Sequence, residues 1–315
     1  NQPSPRIRLW RYLPLLLVLG LAVHLLLPQI TALENSWQVI KSLLPWAVGL
    51  AFATQILSYL GSGYLLQNIL RMAKQQGSLW LNTLIAVGST SVGMLAGGMV
   101  GSSAAIYRWT SGSKGSIEGA TLASFLWPFF DNLILMLFSI FGLIHLLTVH
   151  DLTQVQMIGF SLTLLFLGLV SSGILLAVRY QKQTTGIVSW LANRVSHLRR
   201  KPFDPQIVRQ RIGNLFNAWD TLRQGAWLHL TLGAFLNISF DLLTLYFLFL
   251  AAGENISLGV LLAGYGLPLL IGRIAFILPG GVGIVESSMT VFYTSLGVLE
   301  PITVVVVLGY RLISF

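Results

Sequence analysis

Polar residues are rare in this chain, and they mark off eight long apolar blocks. The blocks cover about residues 11–30, 44–68, 79–106, 119–148, 155–178, 226–252, 258–295 and 301–315. Most reach or exceed the run of about 20 residues that carries an α-helix through a bilayer. None alternates residue by residue as a barrel strand does, so helices satisfy the backbone in lipid. Two blocks are interrupted from within. Block 79–106 holds "AVGSTSVG" (86–93) near its middle and "GGMVGSS" (97–103) after it. Block 258–295 holds Pro268 and then "ILPGGVGIVESS" (277–288), with Pro279, Gly280, Gly281, Gly283 and Glu286. As one straight helix this block would be about 57 Å long, against a hydrocarbon core of about 30 Å.

Composition agrees with the pattern. The chain has 315 residues, 55% hydrophobic and 9% charged, where soluble domains carry about 25% charged residues. These values describe an integral membrane protein. The formal charge of +9 does not indicate nucleic acid, because nine of the nineteen basic residues fall between Arg179 and Arg223. That clustering marks a cytoplasmic loop. Arg6, Arg8 and Arg11 place the N-terminus on the same side. The first apolar run is too long for a signal peptide and lacks its cleavage site, so it is read as a retained span. The final run is still apolar at Phe315, and its helix is expected to continue.

Parity then constrains the topology. Counting from both ends puts Arg71 and Lys74 inside, and Arg108 and Lys114 inside as well. Block 79–106 therefore enters and leaves by one face. Block 258–295 is read as a second such pair, entering from the opposite face, since broken backbone is tolerated at membrane depth only inside protein or along a wet cavity. The predicted fold is an all-α polytopic membrane protein with about six spanning helices and two re-entrant half-helix pairs, 79–106 and 258–295. Both breaks pair glycines with a serine pair, which suggests an inverted repeat; a packing role for small residues is the alternative. Residues 1–315 read as a single transmembrane domain, with a basic amphipathic cytoplasmic segment at 180–225.

Five ionisable residues lie where lipid is expected: Asp131, Asp241, Glu286, Arg273 and Arg311. An unpaired charge at the bilayer centre costs at least about 2.5–3.5 kcal/mol, so such residues normally face a cavity and find partners. In one reading Arg273 and Arg311 ligate an anion, with Asp131 and Asp241 poising them. In the other, all five form structural ion pairs. Arginine suits phosphate because its planar fork donates two parallel hydrogen bonds. Gly280, Gly281 and Gly283 would let backbone amides approach the anion. Glu286 sits where the following half-helix begins, so it contacts substrate, carries a proton or caps that helix. Arg108, beside Tyr107 and Trp109, is either an interfacial anchor or a headgroup contact at the cavity mouth.

The cytoplasmic loop contains "GIVSWLANRVSHLRR" (186–200), with Ile187, Trp190, Leu191, Val195 and Leu198 at helical spacing. Arg194, Arg199 and Arg200 lie among or after them, as in an amphipathic helix resting on an anionic leaflet. A second helix is expected at about 205–222. No P-loop, dinucleotide fingerprint, H-E-x-x-H or G-x-S-x-G is present. The five histidines are scattered and the chain has no cysteine. The reading is therefore a non-enzyme with no cofactor and no metal.

"LPGGVGIVESSMTVFYTSLGV" followed by "VVLGYRLISF" resembles the transmembrane, flippase-like domain of the lysylphosphatidylglycerol synthase family. The shared features are the P-G-G-x-G-x-x-E element from Pro279 to Glu286 and the arginine of the next helix, Arg311. "IYRW…GATLASFLWPFFDN" is similar to the family's other half, with Arg108 and Asp131 in matching places. It has glycines where many members carry proline and acidic residues. In two-domain members this domain moves aminoacylated phospholipid between leaflets and a soluble domain makes that lipid. Relatives with the membrane domain alone are associated with other lipids, including hopanoids and glycolipids. The resemblance implies a lipid transporter in a bacterial-type plasma (inner) membrane. Its substrate would be a lipid with an anionic or zwitterionic headgroup. A homodimer and a separate lipid synthase are the partner expectations. In a coupled mechanism Asp131, Asp241 or Glu286 would carry a proton. The alternatives are a membrane-embedded lipid-modifying transferase and a non-transporting partner of a lipid synthase.

Overall fold

The computed structural model describes residues 36–95, 98–112, 117–149, 152–198, 227–274 and 283–314. Every secondary element among them is a helix: α1 (Trp37–Ser42), α2 (Pro45–Met72), α3 (Leu79–Leu95), α4 (Gly98–Thr110), α5 (Ile117–Val149), α6 (Gln154–Arg179), α7 (Gln181–Leu198), α8 (Trp227–Ala251), α9 (Leu258–Ile274), α10 (Ile284–Ser295) and α11 (Glu300–Ser314). Gly119–Val149, Gln154–Gly173 and Trp227–Ala251 are long and apolar enough to cross a membrane. The protein is an all-α membrane protein. The expected first span (11–30) and second loop helix (205–222), with Arg199 and Arg200, lie outside the described residues.

The two interrupted blocks are each a pair of short helices. In the first, α3 has 17 residues and α4 has 13. In the second, α9 has 17 and α10 has 12. At about 1.5 Å per residue none exceeds about 26 Å, short of a bilayer core of about 30 Å. Each pair folds back on itself. A Cβ on Gly93 would strike Ser102, and one on Gly88 would touch Trp109, so α3 and α4 run antiparallel. Gly264 abuts the Tyr293 ring, and the Tyr293 hydroxyl donates to the Leu261 carbonyl at 3.2 Å, so α9 and α10 do the same.

The first break does not fall at 86–93 as the sequence suggested. Helix α3 runs straight through, because Ser89, Thr90 and Ser91 return their hydroxyls to the carbonyls of Ile85, Ala86 and Val87. A hydroxyl bonded one turn back satisfies itself without breaking a helix. The chain turns later, at Gly98, where φ is +56°.

Around the hairpins, α2 and α8 form the central pair and α5 packs along α9. Small residues set both approaches. A Cβ on Gly61 would lie 2.6 Å from the Asn237 backbone nitrogen, and one on Gly233 would lie 2.8 Å from Leu65, so α2 and α8 cross antiparallel. On the other side, Gly259, Gly142 and Gly266 meet His145, Ala263 and Ser139 in turn. Close backbone approach of this kind is what drives helix association in lipid. The order of long helix then hairpin occurs twice, at α2–α3–α4 and α8–α9–α10, on antiparallel central helices. Helix α6 lies outermost, packed on α5 and α7, with Val155, Ile158, Leu165 and Leu169 exposed. The stretch expected to be amphipathic is helical through Leu198, as α7, with Arg194 over the Trp190 ring at 5.7 Å and Ile187 and Trp190 exposed.

Candidate functional site

Side chains from α2, both hairpins, α5, α8 and α11 line a cavity of about 200 Å³ with many polar groups on its wall. A single water needs only about 10–15 Å³ by the same measure, so the space admits several waters or a small headgroup. The polar wall starts on α2. Gln55, Ser58, Tyr59 and Ser62 all line the cavity. Their spacing of i, i+3, i+4 and i+7 places them on one helix face. Asn237 and Asp241 are one turn apart on α8 and face the same space.

Three networks bind these helices together. In the first, Ser58 donates to Asn237 Oδ1 at 2.9 Å, and Asn237 Nδ2 donates to Asp131 Oδ1 at 2.6 Å. It joins α2, α8 and α5. In the second, the hydroxyls of Tyr265 and Tyr310 both donate to Asp241 Oδ2 at 2.6 Å. It joins α9 and α11 to α8. In the third, Arg311 Nε donates to Glu286 Oε1 at 2.5 Å, and the Gly283 N–H donates to Glu286 Oε2 at 2.6 Å. Both side chains of this ion pair are buried, 8% and 5% exposed. Gly283 is the residue before the first turn of α10, with φ +86° and ψ −42°. Only glycine adopts that conformation without strain.

The predicted residues therefore separate. Arg311, Asp131 and Asp241 line one cavity. Glu286 does not line it; it stands behind Arg311 as counter-ion and caps α10 at once. Arg108 is exposed near the end of α4 and takes no part in the cavity wall. Arg273 lies in the last turns of α9, and its side chain, like Gly280 and Gly281, is outside the described residues. Charge-based reading of the sequence missed Gln55, Ser58, Ser62, Asn237, Tyr265 and Tyr310. The helical spacing of the α2 set was the available signal. Gln55 has a further property: it is 3% exposed, and its Oε1 carries no hydrogen-bond partner among the described residues.

The amino-acid sequence that builds this cavity and its two hairpins can be compared with known families. Residues 13–315 match the family described as lysylphosphatidylglycerol synthase TM region. The chain belongs to that family. It is also similar to a UPF0104 membrane protein of Methanothermobacter thermautotrophicus, 40% identical over 75 residues. That stretch covers 24% of this chain and 22% of the relative. The family links the chain to lipid metabolism or transport as a multi-pass membrane protein.

Proposed function

We propose that this protein is a lipid flippase or transporter, which moves a phospholipid or other polar-headgroup lipid between leaflets. The observation that carries the reading is the cavity: a pocket lined by carboxylates, amides, hydroxyls and Arg311, enclosed by a bundle whose outer surface is apolar. Burying such groups is costly unless something polar occupies the space. In the proposed mechanism the headgroup enters between helices while the acyl chains stay in lipid. Arg311 meets its phosphate, and the acceptor wall of Asp131, Asp241 and Gln55 meets its hydrogen-bond donors, which suits a zwitterionic headgroup.

The two hairpins are proposed to be re-entrant from opposite faces and related as an inverted repeat. Their lengths support this, since neither arm of either hairpin spans the core. The chain is proposed to act as a single transmembrane flippase-like domain in a bacterial-type plasma membrane. Its N-terminus and the 180–225 segment face the cytoplasm, where α7 rests on an anionic leaflet. No catalytic role, nucleic acid or cofactor enters this reading. A homodimer and a separately encoded lipid synthase are proposed partners.

The test is a leaflet-accessibility assay on reconstituted protein with fluorescent lipids of zwitterionic, anionic and glycosyl headgroups. Accelerated flipping of at least one is expected. Gln55→Leu removes one hydrogen-bonding group from the cavity wall and should slow it about tenfold, the equivalent of about 1.4 kcal/mol. Folded protein that accelerates no headgroup would sink the reading.

A further inference from the structure

The three acids inside the bundle differ in what already holds each carboxylate. Glu286 commits one oxygen to Arg311 and the other to the Gly283 N–H. Asp131 is buried and accepts from Asn237. Asp241 is half-buried on the cavity wall, and its Oδ2 accepts two phenol hydroxyls, Tyr265 from α9 and Tyr310 from α11. Gln55 of α2 lies against the same carboxylate, and its Oε1, which has no hydrogen-bond partner among the described residues, is the second observation at this point. Among the described residues, the titratable and charged groups facing Asp241 are Tyr59 from α2, Asp131 from α5, Tyr265 from α9, and Tyr310 and Arg311 from α11.

Resting on the reading of the chain as a lipid transporter, we infer that Asp241 is the site where a proton binds and couples its gradient to transport. An ionised carboxylate can only accept hydrogen bonds, so both phenols aim at Oδ2 and fasten α9 and α11 to α8. A proton on the carboxyl makes it a donor. A proton on Oδ2 leaves less room for two phenol hydrogens, so one tyrosine turns away or turns to accept. Rotation of the Gln55 amide presents Oε1 to a carboxylic O–H, a partner that it lacks among the described residues. Protonation thus loosens the first arm of the second hairpin and the helix bearing Arg311, and release refastens them. The proton comes from cavity water and returns to it, and no bond of the lipid is made or broken.

Proteoliposomes with a flipped fluorescent lipid separate the possibilities. A two-unit pH gradient should drive the lipid to one leaflet at a ratio of at least about fivefold, within the limit of about 100-fold for one coupled proton. A protonophore should abolish the accumulation. Tyr265→Phe and Tyr310→Phe, which keep the carboxylate, should each lower the accumulation ratio at least about twofold. In pH-difference infrared spectra, a protonated-carboxyl stretch should be present in the wild type and missing in Asp241→Asn. Flipping that equilibrates the lipid whatever the pH gradient overturns the coupling and leaves the transport reading standing. Accumulation driven by sodium and not by pH overturns the proton assignment, as does a carboxyl band unchanged in Asp241→Asn. Absence of all flipping overturns the transport reading and the coupling with it.

Discussion

The two hairpins resemble each other in how the second arm starts and differ in what that start is tied to. Each second arm begins at a positive-φ glycine, Gly98 at +56° and Gly283 at +86°. Each carries a serine pair four and five residues on, Ser102–Ser103 and Ser287–Ser288. The residue three beyond the glycine is Gly101 in the first hairpin and Glu286 in the second. In the first, the arms close by steric fit, with Gly93 against Ser102 and the Gly98 carbonyl. In the second, Glu286 ties the turn to Arg311 of the next helix. The likeness of "GGMVGSS" to "GGVGIVESS" is therefore a positive-φ glycine ahead of a serine pair, and not a likeness of chemistry. One hairpin offers the cavity Met94, Met99 and Ser102, and the other is coupled to a buried cation.

The largest difference should appear when that ion pair is broken. Glu286→Ala leaves Arg311 buried without this counter-ion and removes the cap on α10. A broken buried pair costs about 3–5 kcal/mol. Unfolding in mild detergent should show a loss in that range. The double variant Glu286→Ala/Arg311→Met should recover part of it, as a positive coupling in a double-mutant cycle. If Glu286→Ala costs under about 1 kcal/mol, or the two changes simply add, the second hairpin is not held by the pair.

How much of this was legible beforehand depends on the kind of signal. Helix extents were readable because apolar runs in lipid have hard edges: 119–148 became Ile117–Val149 and 226–252 became Trp227–Ala251. The first break was misplaced because serine and threonine look like breakers, although their hydroxyls are satisfied within the helix. Asp131, Asp241, Glu286 and Arg311 stood out because a charge in an apolar run is expensive. Their pairing did not stand out. Glu286 meets Arg311 across 25 residues, Ser58 meets Asn237 across 179, and Tyr310 meets Asp241 across 69. Such contacts are set by how helices pack, which local periodicity does not encode. The neutral wall of Gln55, Ser58 and Ser62 was visible only to a search for polar spacing, not for charge.

A second, smaller contrast lies in the turn glycines. Gly283 has φ +86° and ψ −42°, outside the left-handed basin that other residues visit. Gly98 at φ +56° falls within the φ range of that basin, and a Cβ there would meet nothing within 4 Å. Strained backbone positions cost about 1–3 kcal/mol each. Gly283→Ala should fall at the upper end, about 2–3 kcal/mol, and Gly98→Ala near about 1 kcal/mol. Both are read as shifts in detergent unfolding midpoint at unchanged slope. Equal costs, or the reverse order, would mean that the two turns are not distinguished by their backbone geometry.

The smallest effect tests whether the first hairpin lacks only the cap. Gly101 stands where Glu286 stands, three residues after the turn, and is partly exposed. A neutral amide there can reach back to the Gly98 N–H as Glu286 reaches Gly283, without adding a charge. Gly101→Gln should raise stability by about 1–1.5 kcal/mol, of which about 1 is the ordinary gain of replacing a helical glycine. Gly101→Ala measures that part alone, so the difference between the variants, about 0.5 kcal/mol, isolates the cap. If Gln gains nothing over Ala, the two turns are alike in outline only. If it gains the full difference, the second hairpin's distinct feature reduces to its charge, and Arg311 is the reason that its capping residue is an acid.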